Sequence, residues 1–96
     1  MSNENLEEKY LRYTLNLQKA FLTLHVLESS KKVEEVLDLA KRYFNDAKHF
    51  KEKNQVITAL ISLAYSEGLL DALRILNYVK FEWVGSEWKV QSKKQF

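Results

Sequence analysis

The segment QVITALISLAYSEGLLDALRILNYV, residues Gln55 to Val79, decides the fold class of this chain. It contains no proline, and its apolar residues run almost all round a helical projection with only narrow polar strips between them. A helix with apolar residues on every side is typical of the buried element of a bundle. We therefore expect a central helix over Gln55–Val79 that the rest of the chain covers.

A glycine interrupts this helix near its middle. Gly68 lies at the centre of one helical face, and a glycine there costs about 1 kcal/mol of helix propensity relative to alanine. We interpret Gly68 as a helix-packing position, where a neighbouring helix approaches closely and the ring of Tyr43 or Phe50 fills the space.

The same helix carries an aspartate one turn later. Asp71 lies at the edge of the glycine face, and we expect a boundary carboxylate that pairs with Arg74 or hydrogen-bonds to a tyrosine. The alternative is a buried, functional carboxylate. Asp46 and Tyr65 are further candidates for buried or boundary polar positions. Whether Asp46 and Asp71 meet across the helical hairpin is left open by the sequence.

Two more helices precede this segment. The first is predicted from about Asn3 to Leu27, because its apolar residues alternate spacings of four and three, as in a bundle seam. The second is predicted from about Lys31 to Lys53, with Ser29 or Ser30 as its cap and Asn54 in the turn that follows. The apolar residues of the first seam are Leu6, Tyr10, Tyr13, Leu17, Ala20, Leu24 and Leu27.

The period of the pattern changes after the third helix. Phe81, Trp83, Trp88 and Val90 alternate with polar residues, and Gly85–Ser86 suits a two-residue turn. The prediction is an all-α protein: a three-helix antiparallel bundle over residues 1–79, a short C-terminal β-hairpin packed on it over 80–91, and a flexible basic tail over 92–96.

Composition limits the function classes. The chain has 96 residues, enough for one small domain, and no cysteine, which excludes disulfides and zinc–thiolate sites. The net charge of +2 is too small to indicate nucleic-acid binding by itself. The polar, acidic start of the sequence indicates that there is no signal peptide. No uncharged apolar stretch approaches the roughly 18 residues that a membrane span needs, so we expect none. We therefore expect a cytoplasmic protein with no membrane association.

Two stretches resemble a known family. AKRYFNDAKHF (residues 40–50) and ALISLAYSEGLLDALRIL (residues 59–76) resemble a family of small archaeal domains of unknown function, number three-five-seven in its series. The resemblance implies a closed three-helix bundle without an established activity, and it supplies no catalytic residues. The positions that carry it are Ala40, Tyr43, Phe44, Asp46, Ala47, Phe50, Gly68, Leu70, Asp71 and Ala72.

The polar residues give little indication of chemistry. His25 has no partner at metal-ligand spacing, and no phosphate-binding loop or catalytic triad is visible. Arg42 and His49, two helical turns apart, resemble the Arg–His motif of a broad class of helical ribonucleases, but such a pair also arises by chance on a charged helix. We predict no enzyme, no cofactor and no metal.

Two candidate contact surfaces remain. Leu11, Leu15, Leu22 and Val26 form a second apolar strip on the first helix, nearly opposite its seam. A second strip needs a second partner, and self-association is the simplest explanation; coverage by the tail, or scattered surface leucines, are the alternatives.

The second candidate surface is the tail. Trp83, Trp88 and Lys89 combine aromatic rings with positive charge, which suits single-stranded RNA. The low net charge favours the alternative, in which the tryptophans are buried against the bundle. The sequence thus favours a non-catalytic protein-interaction or assembly module that self-associates through helix one, forming a dimer. The other candidate is an RNA-binding or RNA-processing protein that uses Arg42, His49 and the tail.

Overall fold

A computed structural model describes residues 5–84 of the chain. Three helices pack against each other, and a small two-stranded antiparallel ladder lies at the C-terminal end, so the predicted fold class is confirmed. The elements are α1 (Leu6–Leu22), β1 (His25–Val26), α2 (Lys31–Glu52), α3 (Val56–Ile75) and β2 (Val79–Lys80).

The first helix ends earlier than predicted. Asn5 caps its start, accepting hydrogen bonds from the backbone N–H groups of Glu7 and Glu8. At the other end, the Thr23 hydroxyl donates to the carbonyl of Lys19 at 2.8 Å and accepts the N–H of Glu82 at 2.9 Å. The chain turns there towards the C-terminal segment, so the predicted extension of the helix to Leu27 is wrong.

The other helix ends follow the turn chemistry of the sequence. The Ser30 hydroxyl caps α2 by accepting the N–H of Val33 at 3.1 Å. Asn54, with φ of 62°, forms the turn between α2 and α3 in the left-handed region, which asparagine tolerates well. Asn77, with φ of 65°, follows the end of α3 in the same way, so α3 ends at Ile75 and the predicted end at Val79 is wrong.

The two-stranded ladder uses different strands from the predicted hairpin. His25 pairs with Lys80 and Val26 with Val79, because the chain after α1 runs alongside the chain after α3. Phe81 to Val84 are not in a strand. The predicted Gly85–Ser86 turn, the rest of the 80–91 hairpin and the 92–96 tail lie outside the described residues.

The helices pack with α3 against both neighbours, as expected for a central element. A salt bridge of 3.0 Å joins Lys51 near the end of α2 to Glu7 near the start of α1, which fits an antiparallel arrangement of these two helices. The core contains large side chains such as Leu17, Leu63 and Leu70. However, α3 is covered on one face alone, and the expectation that it is buried all round is wrong.

Candidate interaction surfaces

The open face of α3 is an exposed apolar feature of the described surface. Ile57 and Ile75, near the two ends of the helix, are 61% and 67% exposed. Leu39 and Tyr43 of α2 flank this face on one side and Tyr13 of α1 on the other. We call it the α3 trough; its floor consists of Ile57, Ile61, Ala64, Tyr65, Gly68, Ala72 and Ile75.

Two depressions make up the middle of the α3 trough. The one towards α2 has a volume of about 520 Å³, and the one towards α1 has a volume of about 290 Å³. Both include Ala64 and Gly68, so the floor is continuous from one side to the other. Such a surface is apolar and open to solvent, which are features of protein-binding sites.

The predicted role of Gly68 inside the bundle is wrong. A Cβ added at this glycine meets nothing within 4 Å, because neither α1 nor α2 passes over it. Tyr43, which was expected to fill the space, instead stacks on Tyr65 with ring centroids 5.3 Å apart. Tyr65 is itself 60% exposed, so it belongs to the trough and is not a buried polar position.

The close packing of α3 occurs at two serines that sequence reasoning missed. The buried Ser66 donates its hydroxyl to the carbonyl of Ala40 at 2.7 Å, and Ser62 donates to the carbonyl of Tyr43 at 2.7 Å. A short side chain lets α2 approach, and the hydroxyl gains a partner. The signal in the sequence was a serine pair four residues apart in an apolar helix, opposite the alanines of α2.

Asp71 pairs with Arg74, which is one of its two predicted partners. Its Oδ1 lies 3.1 Å from Arg74 Nη2, and both side chains are about one third exposed. Asp46 is exposed on α2. The bonds from Ser62 and Ser66 place Asp46 level with Leu60, about 16 Å along α3 from Asp71 at 1.5 Å per residue, so the two aspartates do not meet.

The candidate surface on helix one is only partly helical. Leu11 and Leu15 are exposed on α1, at 57% and 47%, and Leu22 is its last residue. Val26 lies in β1 and is no part of a helical strip, because the chain turns at Thr23. The role of these residues in self-association stays a prediction.

One of the two tryptophan rings of the candidate tail surface is buried. Trp83 is 5% exposed and packs edge-on against Phe81, with ring centroids 4.8 Å apart. A ring in this position has no free face on which a base could stack. Trp88 and Lys89 lie outside the described residues, so their part of the surface stays a prediction.

Arg42 and His49 are both exposed on α2. Within residues 5–84, no group of three or more His, Asp or Glu side chains could hold a metal ion. The depressions of the α3 trough contain neither Arg42 nor His49. The structure therefore does not bring the two residues of the ribonuclease-like motif to a concave site on α3.

The composition of α3 also meets the length and hydropathy criteria of a membrane span. Within the described part of the chain, Val56–Ile75 is the single helix that does so. Of the most apolar 18-residue window of this helix, 33% is buried in the bundle, which agrees with the open face described above.

Comparison with known proteins identifies the family and nothing more specific. Searches of curated proteins and of solved structures found no match. The model of one family, described as a protein of unknown function (DUF357), matches residues 12–79, which include most of α1 and all of α2 and α3. The chain therefore belongs to the DUF357 family of proteins of unknown function.

Proposed function

We propose that this domain is a non-catalytic, cytoplasmic assembly module that binds a protein through the α3 trough. The observation that carries the proposal is the exposure of Ile57, Ile61 and Ile75 along one continuous face. Fully burying one such side chain is worth about 1.5–3 kcal/mol, so a complementary surface gains considerable free energy by covering them. The face lies within the matched residues 12–79 and is therefore part of the family domain.

The lining of the trough supports binding over catalysis. The larger depression is lined by aliphatic side chains, Gly68 and the two tyrosines Tyr43 and Tyr65. The smaller one adds Glu67 and Asp71, and Asp71 is paired with Arg74. General acid–base or nucleophilic catalysis needs such groups to converge on one reacting atom. An apolar groove with polar groups at its rim instead suits a helix or loop of another protein.

The leucines of α1 are a second, smaller candidate surface for self-association. Leu11 and Leu15 are exposed, and on the helical projection they lie about 120° and about 160° from the buried Leu17. RNA binding is the less supported alternative, because Trp83 is buried.

The test is a capture experiment from native cells. The tagged chain is used with and without nuclease treatment, beside the variant Ile61→Glu and the control Asp38→Lys, which lies on the exposed side of α2. We expect a protein partner that survives nuclease, is retained by the control and is lost with Ile61→Glu. Circular dichroism checks that both variants are folded. Enriched RNA, with proteins lost after nuclease, would overturn the proposal in favour of RNA binding.

A further inference from the structure

On the basis of the proposed function, we propose that the occupant of the α3 trough is a second copy of this chain. The α3 helices of the two subunits pack antiparallel about a twofold axis close to Gly68. The interface is isologous, so each subunit contributes the same surface.

The order of side-chain sizes along the trough makes it self-complementary. Isoleucines lie at both ends, Ile57 and Ile61 at one and Ile75 at the other. The small residues Ala64, Gly68 and Ala72 lie between them, with Tyr65 beside them towards α2, where it stacks on Tyr43. An antiparallel twofold places the isoleucines of one end over those of the other end. The small centre then faces itself, where two helices can approach closely.

The open position of Gly68 is evidence for a partner from outside the subunit. An added Cβ meets nothing within 4 Å, so the fold of the single subunit leaves room for a side chain at this position. Glycine weakens the helix there, which is a cost without a benefit in the isolated subunit. If a second α3 crosses at Gly68, the absence of a side chain becomes a benefit, because the two backbones can come into contact.

The size of the trough matches a small dimer interface. A helix of 20 residues is about 30 Å long, and the flanking helices extend the surface by about 9 Å on each side. The resulting patch of roughly 500–600 Å² in projection is smaller than the ~800 Å² of accessible surface that each partner buries in a standard interface, and it corresponds to a weak dimer at the low end of specific interfaces. The net charge of +2 presents little repulsion between two copies.

Two other occupants fit less well. The C-terminal segment, residues 85–96, lies outside the matched residues 12–79, whereas the trough lies within them. A bilayer surface is disfavoured because Glu67 and Asp71 line the depression on the α1 side, and charged side chains are costly to bury among lipid chains.

Sedimentation equilibrium of the full chain and three variants tests the proposal. We expect a dimer for the natural chain and for Leu15→Glu on α1. Ile61→Glu and Gly68→Leu should each weaken association by about tenfold or more. Gly68→Leu is the decisive variant, because an added Cβ meets nothing within 4 Å in the subunit. Circular dichroism checks that the monomer is folded. A chain that is monomeric at 100 µM, or a dimer that only Leu15→Glu dissociates, would overturn the proposal.

Cysteine cross-linking tests the geometry directly, since the chain contains no cysteine of its own. Gly68→Cys should form a disulfide-linked dimer under mild oxidation, while Leu15→Cys and Asp38→Cys should not. Cross-linking of Leu15→Cys alone would assign the interface to α1 instead. If the chain is monomeric, sedimentation with vesicles of neutral or anionic phospholipid and truncation after Val84 identify a membrane or the tail as the occupant.

The failure of this inference is distinct from a failure of the proposed function. A monomeric chain whose capture of another protein depends on Ile61 would retain the assembly role and refute the second copy as occupant. A dimer that needs Ile61 and Gly68 but captures nothing else would support a self-assembling module.

Discussion

The buried and open faces of α3 are both apolar, but only the buried face is held by neighbours. Ser66, on the buried face, is 0% exposed and donates to α2, whereas Gly68, two residues later, lies open to solvent. The isoleucines of the helix are on the outside, and its two inner serines are covered. Hydrophobicity alone thus fails to identify the face of α3 that packs in the bundle.

Two short polar side chains let α2 pack closely on the buried face of α3. Ser62 and Ser66 let α2 come close enough for their hydroxyls to reach its main-chain carbonyls, and each hydroxyl is satisfied there. Isoleucines at the same positions would hold the two helices apart. Large leucines such as Leu63 and Leu70 also lie on the buried face, so the two serines mark the places where α2 approaches most closely.

Truncating a leucine on the buried face should have the largest effect. Leu63 is 1% exposed, so Leu63→Ala removes a packed side chain and should lower the free energy of unfolding by about 2–5 kcal/mol. Ile61→Ala on the open face is the matched control and should change it by less than about 0.5 kcal/mol. Urea denaturation in dilute solution, where self-association is minimal, measures both. Equal losses would contradict the distinction between the faces.

Overpacking the α2–α3 contact should have the next largest effect. Ser66→Leu forces a larger side chain between α3 and the carbonyl of Ala40, and it should cost about 1–3 kcal/mol of stability. Gly68→Leu places the same side chain on the open face, where its Cβ meets nothing within 4 Å. Thermal unfolding of the two variants should therefore separate clearly. A stable Ser66→Leu protein would show that α2 and α3 can move apart.

Much of this fold follows from local patterns. The helical hairpin and its turn at Asn54 were predictable, because apolar periodicity and an asparagine that tolerates positive φ act within a few residues. The end of α1 was not, because Thr23 bonds to Glu82, which is 59 residues away in sequence. The exposed position of Gly68 was also beyond local patterns, since it depends on where α1 and α2 leave α3 uncovered.

Replacing Gly68 by alanine should change the free energy of unfolding by less than the substitutions on the buried face of α3. In Gly68→Ala the new methyl group has no neighbour within 4 Å, so helix propensity alone acts on the monomer. The free energy of unfolding of the monomer should rise by about 1 kcal/mol. Urea denaturation in dilute solution measures this gain. A destabilised monomer would instead indicate that the glycine is required inside the subunit.

The smallest effect is expected at the edge between the two faces, where Asp71 pairs with Arg74. Asp71→Asn removes an i,i+3 ion pair whose side chains are about one third exposed, so water and salt screen it. Such pairs contribute about 0.2–0.5 kcal/mol, and the carboxylate near the C-terminal end of α3 is disfavoured by the helix dipole, which offsets part of that. The variant should therefore lose a few tenths of a kcal/mol at low salt and nothing at high salt.

Asp46→Asn is the matched control for this pair, because Asp46 is exposed and has no ion pair among residues 5–84. Urea denaturation at low and high sodium chloride compares the two variants. A loss above about 1 kcal/mol that persists in high salt would exceed what an exposed pair supplies. It would show that the Asp71 carboxylate is desolvated in solution. A partner that covers the trough would desolvate it in this way.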